Sequence, residues 1–398
     1  MIEKRKPKTL GVYIHIPFCV RKCLYCDFLS APAGEGEMER YIAAIIREIK
    51  EESANYKDRI VESVFLGGGT PSLLPAESVA KILDTVFDCF HVEEACEISI
   101  EVNPGTATLE KFLTLKKSGV NRLSIGLQSA IDSELNALGR IHTSKDFFDT
   151  YALAVKTGFD NINVDLMSAI PGQTLESCAD SLKKVLRLQP VPTHISSYSL
   201  IIEEGTFFYE NTPVLPDEEC EREMYHMTGD YLLDRGYRQY EISNYALPGY
   251  ECAHNKRYWT REDYVGFGIG AASLIDNERF NNTKNIDCYY NYYLGEKKEV
   301  TDLSIVGVKE SRQKLSVQEQ MEEFMFLGLR MMQGVSCRKF FRIFGVSIDQ
   351  IYPGIVDDFC KKGLLVRKTE PEIGDERIML TRRGIDVSNV IMAQFLFS

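Results

Sequence analysis

Short β-branched runs alternate with longer amphipathic stretches through the first half of the chain. The runs are Val12–Phe18, Ser63–Leu66, Glu97–Glu101, Arg122–Gly126, Asn161–Asp165 and His194–Leu200. Between them lie Met38–Glu52, Ser78–Phe87, Leu109–Ser118, Lys145–Thr157 and Leu175–Leu188. In the second of these, Val79, Ile82, Leu83 and Val86 recur at helical spacing and make one buried face. Strand and helix in strict alternation require parallel strands joined by right-handed crossovers. The expected class is α/β. Six units, fewer than a closed eight-fold barrel uses, predict a partial (β/α)6 barrel over residues 1–205.

Loops at the carboxyl ends of parallel strands carry the chemistry of such folds. Glycines and polar residues gather there: Gly67-Gly68-Gly69-Thr70, Glu101-Val102-Asn103-Pro104, Gly126-Leu127-Gln128-Ser129 and Asp165. After the first strand the chain runs Cys19-Val20-Arg21-Lys22-Cys23-Leu24-Tyr25-Cys26. Three thiolates leave one iron of a cubane open, whereas an ordinary ferredoxin cluster takes four. Zinc is the competing metal. Its structural sites need four ligands, and no second Cys-x2-Cys or Cys-x2-His pair appears, although His15 could complete a Cys3His set. Coincidental packing of three thiols fits poorly beside Arg21, Lys22 and Asp27.

Residues 206–300 read as a connecting region. Pro213, Pro216 and Asp217-Glu218-Glu219 mark a loop, Arg222–Arg235 a helix, and a stretch rich in Tyr and Asn runs from Tyr237 to Tyr293. Residues 301–398 read as a smaller helical domain, with helices at Glu319–Met332, Ser336–Phe344 and Ile348–Lys362. Strand-like runs Leu364–Lys368 and Arg377–Thr381 follow, which makes the module winged-helix-like. A DNA-reading helix would be basic, yet Ile348–Lys362 sets only its terminal lysines against Asp349, Asp357 and Asp358. The net charge of −12 also argues against nucleic acid as a partner. A structural or substrate-covering role is the expectation.

Hydrophobic residues make up 44% and charged residues 26% of the 398, the balance of a soluble globular protein. The basic amino terminus leads into no apolar core of a signal peptide, because His15 and Pro17 interrupt Val12–Phe18. No run is long enough for a membrane span. A cytoplasmic, reducing location follows, so the eleven cysteines are expected as thiols.

Cys-x3-Cys-x-Tyr-Cys, with Tyr25 as the aromatic, resembles the signature of the radical S-adenosylmethionine superfamily, and the likeness covers residues 11–205. It implies a 4Fe–4S cluster on Cys19, Cys23 and Cys26, with S-adenosyl-L-methionine chelating the open iron. The cofactor then carries the hard step, reductive cleavage to a 5′-deoxyadenosyl radical. By the same resemblance Gly68, Gly69 and Thr70 stand near the methionine amino group, and Tyr13 is a further contact. Glu101 and Asp165 resemble acidic contacts to the nucleoside or amino group, Gln128 a polar contact and Arg140 the carboxylate partner. A guanidinium fork matches two carboxylate oxygens.

Tyr13-Ile14-His15-Ile16-Pro17-Phe18-Cys19, Gly67-Gly68-Gly69-Thr70-Pro71-Ser72 and Gly126-Leu127-Gln128-Ser129 resemble the branch containing oxygen-independent coproporphyrinogen III oxidase. That oxidase has a further cysteine where this chain has Phe28, and a longer extension ahead of the first strand than the ten or so residues here. Both departures, and His254-Asn255-Lys256-Arg257-Tyr258-Trp259, are similar to the haem chaperones of the same branch. The resemblance implies haem as cargo and a haem-accepting protein as partner, a membrane-bound acceptor included. Catalytic residues stay unassigned. The alternatives are a radical decarboxylase of coproporphyrinogen and another tetrapyrrole-modifying radical enzyme. His254 is the candidate haem ligand, since a neutral imidazole suits axial ligation. Equally open is a buried, hydrogen-bonded His254 at a domain interface, with Cys252 as a second candidate ligand that nothing selects.

Overall fold

The computed structural model describes residues 7–295, 308–372 and 374–397. The expected boundary between residues 300 and 301 lies outside the described residues. Six parallel strands pair in sequence order: β1 (Lys8–Ile16), β2 (Arg59–Gly68), β3 (His91–Val102), β4 (Arg122–Gln128), β5 (Ile162–Ser168) and β6 (His194–Ser199). The crossovers include helices Glu35–Glu52, Ala76–Cys89, Leu109–Lys117, Ser144–Lys156 and Leu175–Val185.

The strands read inversely to a solvent-facing sheet. Val12, Ile14, Val64, Leu66, Ile98, Ile100, Leu123, Ile125, Ile162 and Val164 join the helices in one apolar core. On the other face stand Tyr13, Phe65, Glu101, Arg122, Ser124 and Asp165, all lining a single cavity. Successive strand residues point to opposite faces, so this alternation separates an apolar outer layer from a polar interior. A polar barrel interior demands hydrogen-bond partners from the protein, from water or from a ligand.

The segment expected as a connection adds strands to both edges of this sheet. β7 (Arg238–Glu241) and β8 (Asn244–Ala246) extend it beyond β6. β9 (Tyr264–Phe267) runs parallel to β1, followed outward by β10 (Ala272–Ile275), β11 (Glu278–Asn282) and β12 (Lys309–Lys314). The order is β12-β11-β10-β9-β1-β2-β3-β4-β5-β6-β8-β7, and its two edges do not pair among the described residues. The barrel is therefore partial.

Between β8 and β9 the helix Ala253–Thr260 enters the barrel floor. Gly11 in β1 makes room for it. A Cβ there would stand 2.8 Å from Arg257 Cδ and 3.3 Å from His254 Cε1.

The carboxyl-terminal module has its own core around Phe324, Met325, Phe340, Val356 and Phe395. Helices Val317–Gly328 and Cys337–Phe344 pack on a small antiparallel sheet of β13 (Val335–Ser336), β14 (Leu365–Glu370) and β15 (Asp375–Leu380). The single helix expected over Ile348–Lys362 is two, Ile348–Ile351 and Ile355–Lys361. Pro353 and Gly354 separate them, Gly354 at φ 78°, because proline lacks the N–H and left-handed backbone ends a helix. Ion pairs Arg261–Glu323, Arg279–Glu323 and Arg330–Glu241 join the module to the sheet.

Candidate functional site

The cysteine loop is pinned before it reaches the cavity. Ala31 N–H donates to Pro17 O at 2.9 Å and Cys19 N–H to Ala31 O at 3.1 Å, which closes the loop at its base. Leu24 N–H donates to Leu138 O at 3.1 Å, and Phe208 N–H donates to Leu24 O at 3.0 Å, so the loop is held at mid-length too. Cys19, Cys23 and Cys26 are all free thiols, half-buried, and line one wall of a cavity of about 620 Å3. Among the described residues no three His, Cys, Asp or Glu side chains converge on a point able to hold a single metal ion. Thiolates of a cubane spread around several irons instead.

A hydrogen-bonded chain links two of the three cysteines. Arg140 Nη1 donates to Cys23 Sγ at 3.5 Å, and its Nη2 donates to Asn103 Oδ1 at 3.0 Å and to Gly126 O at 3.1 Å. Asn103 Nδ2 donates to Thr70 Oγ1 at 2.8 Å, which leaves that hydroxyl free to donate to Cys19 Sγ at 3.4 Å. Side-chain donors placed against sulfur can support iron-bound cysteines from outside the ligand set. The donor set fits a thiolate-held cluster.

Gly68 shows why the glycine run is required. Its φ is +113°, and a Cβ would stand 2.5 Å from the ring of His15. That ring is fixed in turn. His15 Nε2–H donates to Leu29 O at 2.8 Å, so Nδ1 accepts from Tyr13 OH at 3.0 Å, and burial lowers the imidazole pKa. Gly68 N–H donates to Glu101 Oε2 at 3.0 Å. Burial, then the nearby Asp165, push the Glu101 carboxyl up to about 8. Burial also raises Asp165, against hydrogen bonds from Asn163 Nδ2 at 2.7 Å and Ser124 Oγ at 3.3 Å. Gln128 sits at φ 70° where β4 ends in a bulge, with Oε1 accepting from Tyr198 OH at 2.9 Å. A non-glycine residue held in that region is over-determined by its surroundings, a condition typical of ligand clamps.

The far wall is aromatic. Tyr13, Phe65 and Tyr258 line it with His254. His254 is 1% exposed and stacks on Phe65 at 5.3 Å. Its Nδ1 is 2.9 Å from Ser63 Oγ and its Nε2 2.9 Å from Tyr258 OH, while burial pulls its pKa down to about 3. In this conformation neither ring nitrogen is free to ligate iron. Cys252 is fully buried and donates to Glu97 Oε1 at 3.4 Å, and Glu97 also accepts from the N–H groups of Ala253 and His254. Phe28, by contrast, is 58% exposed at the cavity mouth beside Cys26.

Tyr13, Cys19, Cys23, Cys26, Gly68, Gly69, Thr70, Glu101, Gln128, Arg140, Asp165 and His254 thus all line the same cavity. Reading the sequence missed Asn103 as the bridge, Tyr198 and Tyr258 as wall residues, and Arg122. A charged residue opening the otherwise uncharged strand Arg122–Gln128 was the available signal for the last.

Residues 13–185 match the family model described as the Radical SAM superfamily, and residues 315–387 the one described as the HemN C-terminal domain. The chain is 35% identical to heme chaperone HemW of Bacillus subtilis (strain 168), covering 97% of this chain and 99% of that protein. It is 41% identical to heme chaperone HemW of Escherichia coli (strain K12), over 68% of this chain and 71% of that one. Coproporphyrinogen III oxidase (HemN) of Escherichia coli, a radical SAM enzyme, superimposes with a TM-score of 0.83 at 22% identity, over 98% of this chain and 91% of its own. That likeness establishes the fold. The class so defined is the radical SAM superfamily, in its HemN-like form. Within it, the chain belongs to the HemW family.

Proposed function

We propose that this protein is a haem chaperone of the cytoplasm that binds haem and passes it to acceptor proteins, membrane-bound ones included. It holds a 4Fe–4S cluster on Cys19, Cys23 and Cys26 and S-adenosyl-L-methionine beside it. The observation that carries this reading is similarity to curated HemW proteins along nearly the whole chain, joined to the convergence of the expected residues on one cavity. No helix among the described residues is long and apolar enough to cross a membrane.

Each chain residue has a task in this reading. Arg140 orients the methionine carboxylate and supports Cys23; Gly68, Gly69 and Thr70 present backbone and hydroxyl groups to the amino end. Glu101 and Asp165 take the amino and nucleoside hydrogens, and Gln128 and Tyr13 complete the walls. The cluster and cofactor, when bound, supply one-electron reduction of the sulfonium. Phe28 leaves the mouth of the cavity apolar and exposed, where the related oxidase carries a thiol.

Anaerobic purification with iron and sulfide analysis, a haem titration and an assay on coproporphyrinogen III tests the reading. Replacing Cys19, Cys23 or Cys26 by Ala should abolish iron binding, and Cys178→Ala, on an outer helix, should leave it intact. About one haem per chain, and no protoporphyrin after incubation with reductant and S-adenosyl-L-methionine, are expected. Multiple turnovers to protoporphyrin would overturn the chaperone reading in favour of the decarboxylase. Stoichiometric zinc would overturn the cluster.

A further inference from the structure

Arg122 stands apart from the other cavity-lining side chains: it alone has a buried polar atom without a hydrogen-bond partner among the described residues. It opens β4 at the inner end of the chamber and is 1% exposed. Its Nη1 reaches Ser99 Oγ at 3.4 Å, a long bond, and its Nε has no partner. No carboxylate among the described residues forms an ion pair with it. A guanidinium carries five donors and stays charged at any ordinary pH, so most of its capacity here is unmet. Glu97 and Asp165 act on its charge through space, yet neither comes within ion-pair distance and Nε is left without an acceptor.

The carboxylates that act on it through space direct their hydrogen bonds to other donors. Asp165 accepts from Asn163 and Ser124, and Glu97 accepts from the backbone of the helix Ala253–Thr260. His194 bonds Asn163 Oδ1 at 2.6 Å and Tyr240 OH at 2.9 Å. The chamber is thus lined both by a guanidinium with an unpartnered Nε and by the aromatic rings of Tyr13, Phe65 and Tyr258. A guanidinium and flat apolar rings in one chamber fit a planar, hydrophobic molecule bearing a carboxylate arm.

We infer that Arg122 is an inner carboxylate-binding residue, separate from Arg140, and that the chamber admits a molecule whose acid group reaches it. Two sources share this chemistry: a propionate of a tetrapyrrole, and the amino-acid carboxylate of an S-adenosylmethionine molecule lying deeper than the one beside Arg140. The aromatic wall favours the propionate. That arm rests on the haem-binding reading given above, and the other does not.

The test uses the full chain under anaerobic conditions. Haem and haem dimethyl ester, whose propionates are blocked, are titrated by Soret absorbance into the native protein, Arg122→Gln and Arg122→Lys. S-adenosyl-L-methionine is titrated into the same proteins by calorimetry. The native chain should bind haem about tenfold or more tighter than the ester, as loss of a charged hydrogen bond in a buried site predicts. Arg122→Gln should erase that preference without changing ester affinity, and Arg122→Lys should restore part of it as a point charge. A fall in S-adenosyl-L-methionine affinity instead, with haem and ester alike, assigns the subsite to the amino-acid carboxylate and still supports it. Equal binding of haem and ester by native protein, with unchanged S-adenosyl-L-methionine binding in both variants, overturns the inference and leaves Arg122 a water-satisfied structural residue. If native protein binds no haem at all, the chaperone reading falls, and the calorimetric arm decides Arg122 by itself. Should Arg122→Gln fail to fold, the native comparison and the Lys variant separate the same outcomes.

Discussion

At the cysteine end of the chamber, half-buried Arg140 distributes its donors over Cys23, Asn103 and Gly126. At the inner end Arg122 is nearly inaccessible and keeps one long bond to Ser99. His254, on the floor helix and facing β2, is closed on both ring nitrogens. The same barrel thus contains one polar end completed by the protein itself and one left incomplete beside a sealed floor. A completed network holds its geometry without a ligand, which suits residues that must present thiolates to a cluster. An incomplete one gains most when a ligand arrives.

Breaking the floor tests the sealed side, with the largest effect expected. His254→Ala removes two buried hydrogen bonds and leaves a cavity beneath Phe65, a loss of about 3 kcal/mol. Thermal or urea unfolding of the cluster-free protein measures it. The Soret spectrum of bound haem should be unchanged, since neither nitrogen faces the chamber unpaired. A shifted Soret band with unaltered stability would instead make His254 the axial ligand and require the Tyr258 bond to open.

The completed end should respond in binding. Arg140→Ala leaves Asn103 Oδ1 and Gly126 O without their donor and removes the cation facing the chamber. S-adenosyl-L-methionine affinity should fall by about 2 kcal/mol, roughly thirtyfold. Calorimetry on the anaerobic protein measures this, and Cys23→Ala controls for losses that follow from the cluster. Unaltered affinity would confine Arg140 to holding the loop.

Much of this division was legible in the sequence, and the reason is local. Six strand–helix units follow from periodicity, because each buries one face against its neighbours in order. The cysteine spacing and the strand-end glycines are likewise contained in short segments. The edge strands were not legible. β7 to β11 are three to five residues long and rich in Tyr and Asn; β9 pairs with the distant β1, and β8 with β6 across intervening helices. Asn244 and Asn282 carry no alternating apolar pattern, since their partners are the buried carboxylates Glu241 and Glu48. His254 was legible as a motif but ambiguous in role, because its two hydrogen-bond partners are 191 residues and one helical turn away. Arg122 left one local signal, a charge opening an otherwise uncharged strand, but its burial is a property of the assembled barrel.

The smallest effect sharpens what lies between the two ends. Glu101 faces the chamber, and burial with Asp165 nearby holds its carboxyl at about 8, against 4.5 when unhindered. Between those values the folded chain keeps a proton that the unfolded chain has released, so folding stability falls as pH rises from about 4.5 and levels off above about 8. Glu101→Gln imitates the protonated form and can still accept from Gly68 N–H. The ligand-free variant should therefore match the native melting temperature at pH 5 and exceed it by a few degrees, roughly, at pH 8.5. Asp165 is also raised by burial and interacts with Glu101, so the difference between the two proteins reports Glu101 together with its coupling to Asp165. Added S-adenosyl-L-methionine should reverse the ranking. A cationic ligand favours the carboxylate, so native protein should gain more from it at pH 8.5 than at pH 6.5, where a proton must first leave. The Gln variant has no such proton, and its gain should not change between the two. Parallel melting curves for native and variant across the range would show that Glu101 is already ionised in the empty chamber, with Gly68 N–H sufficient to stabilise it.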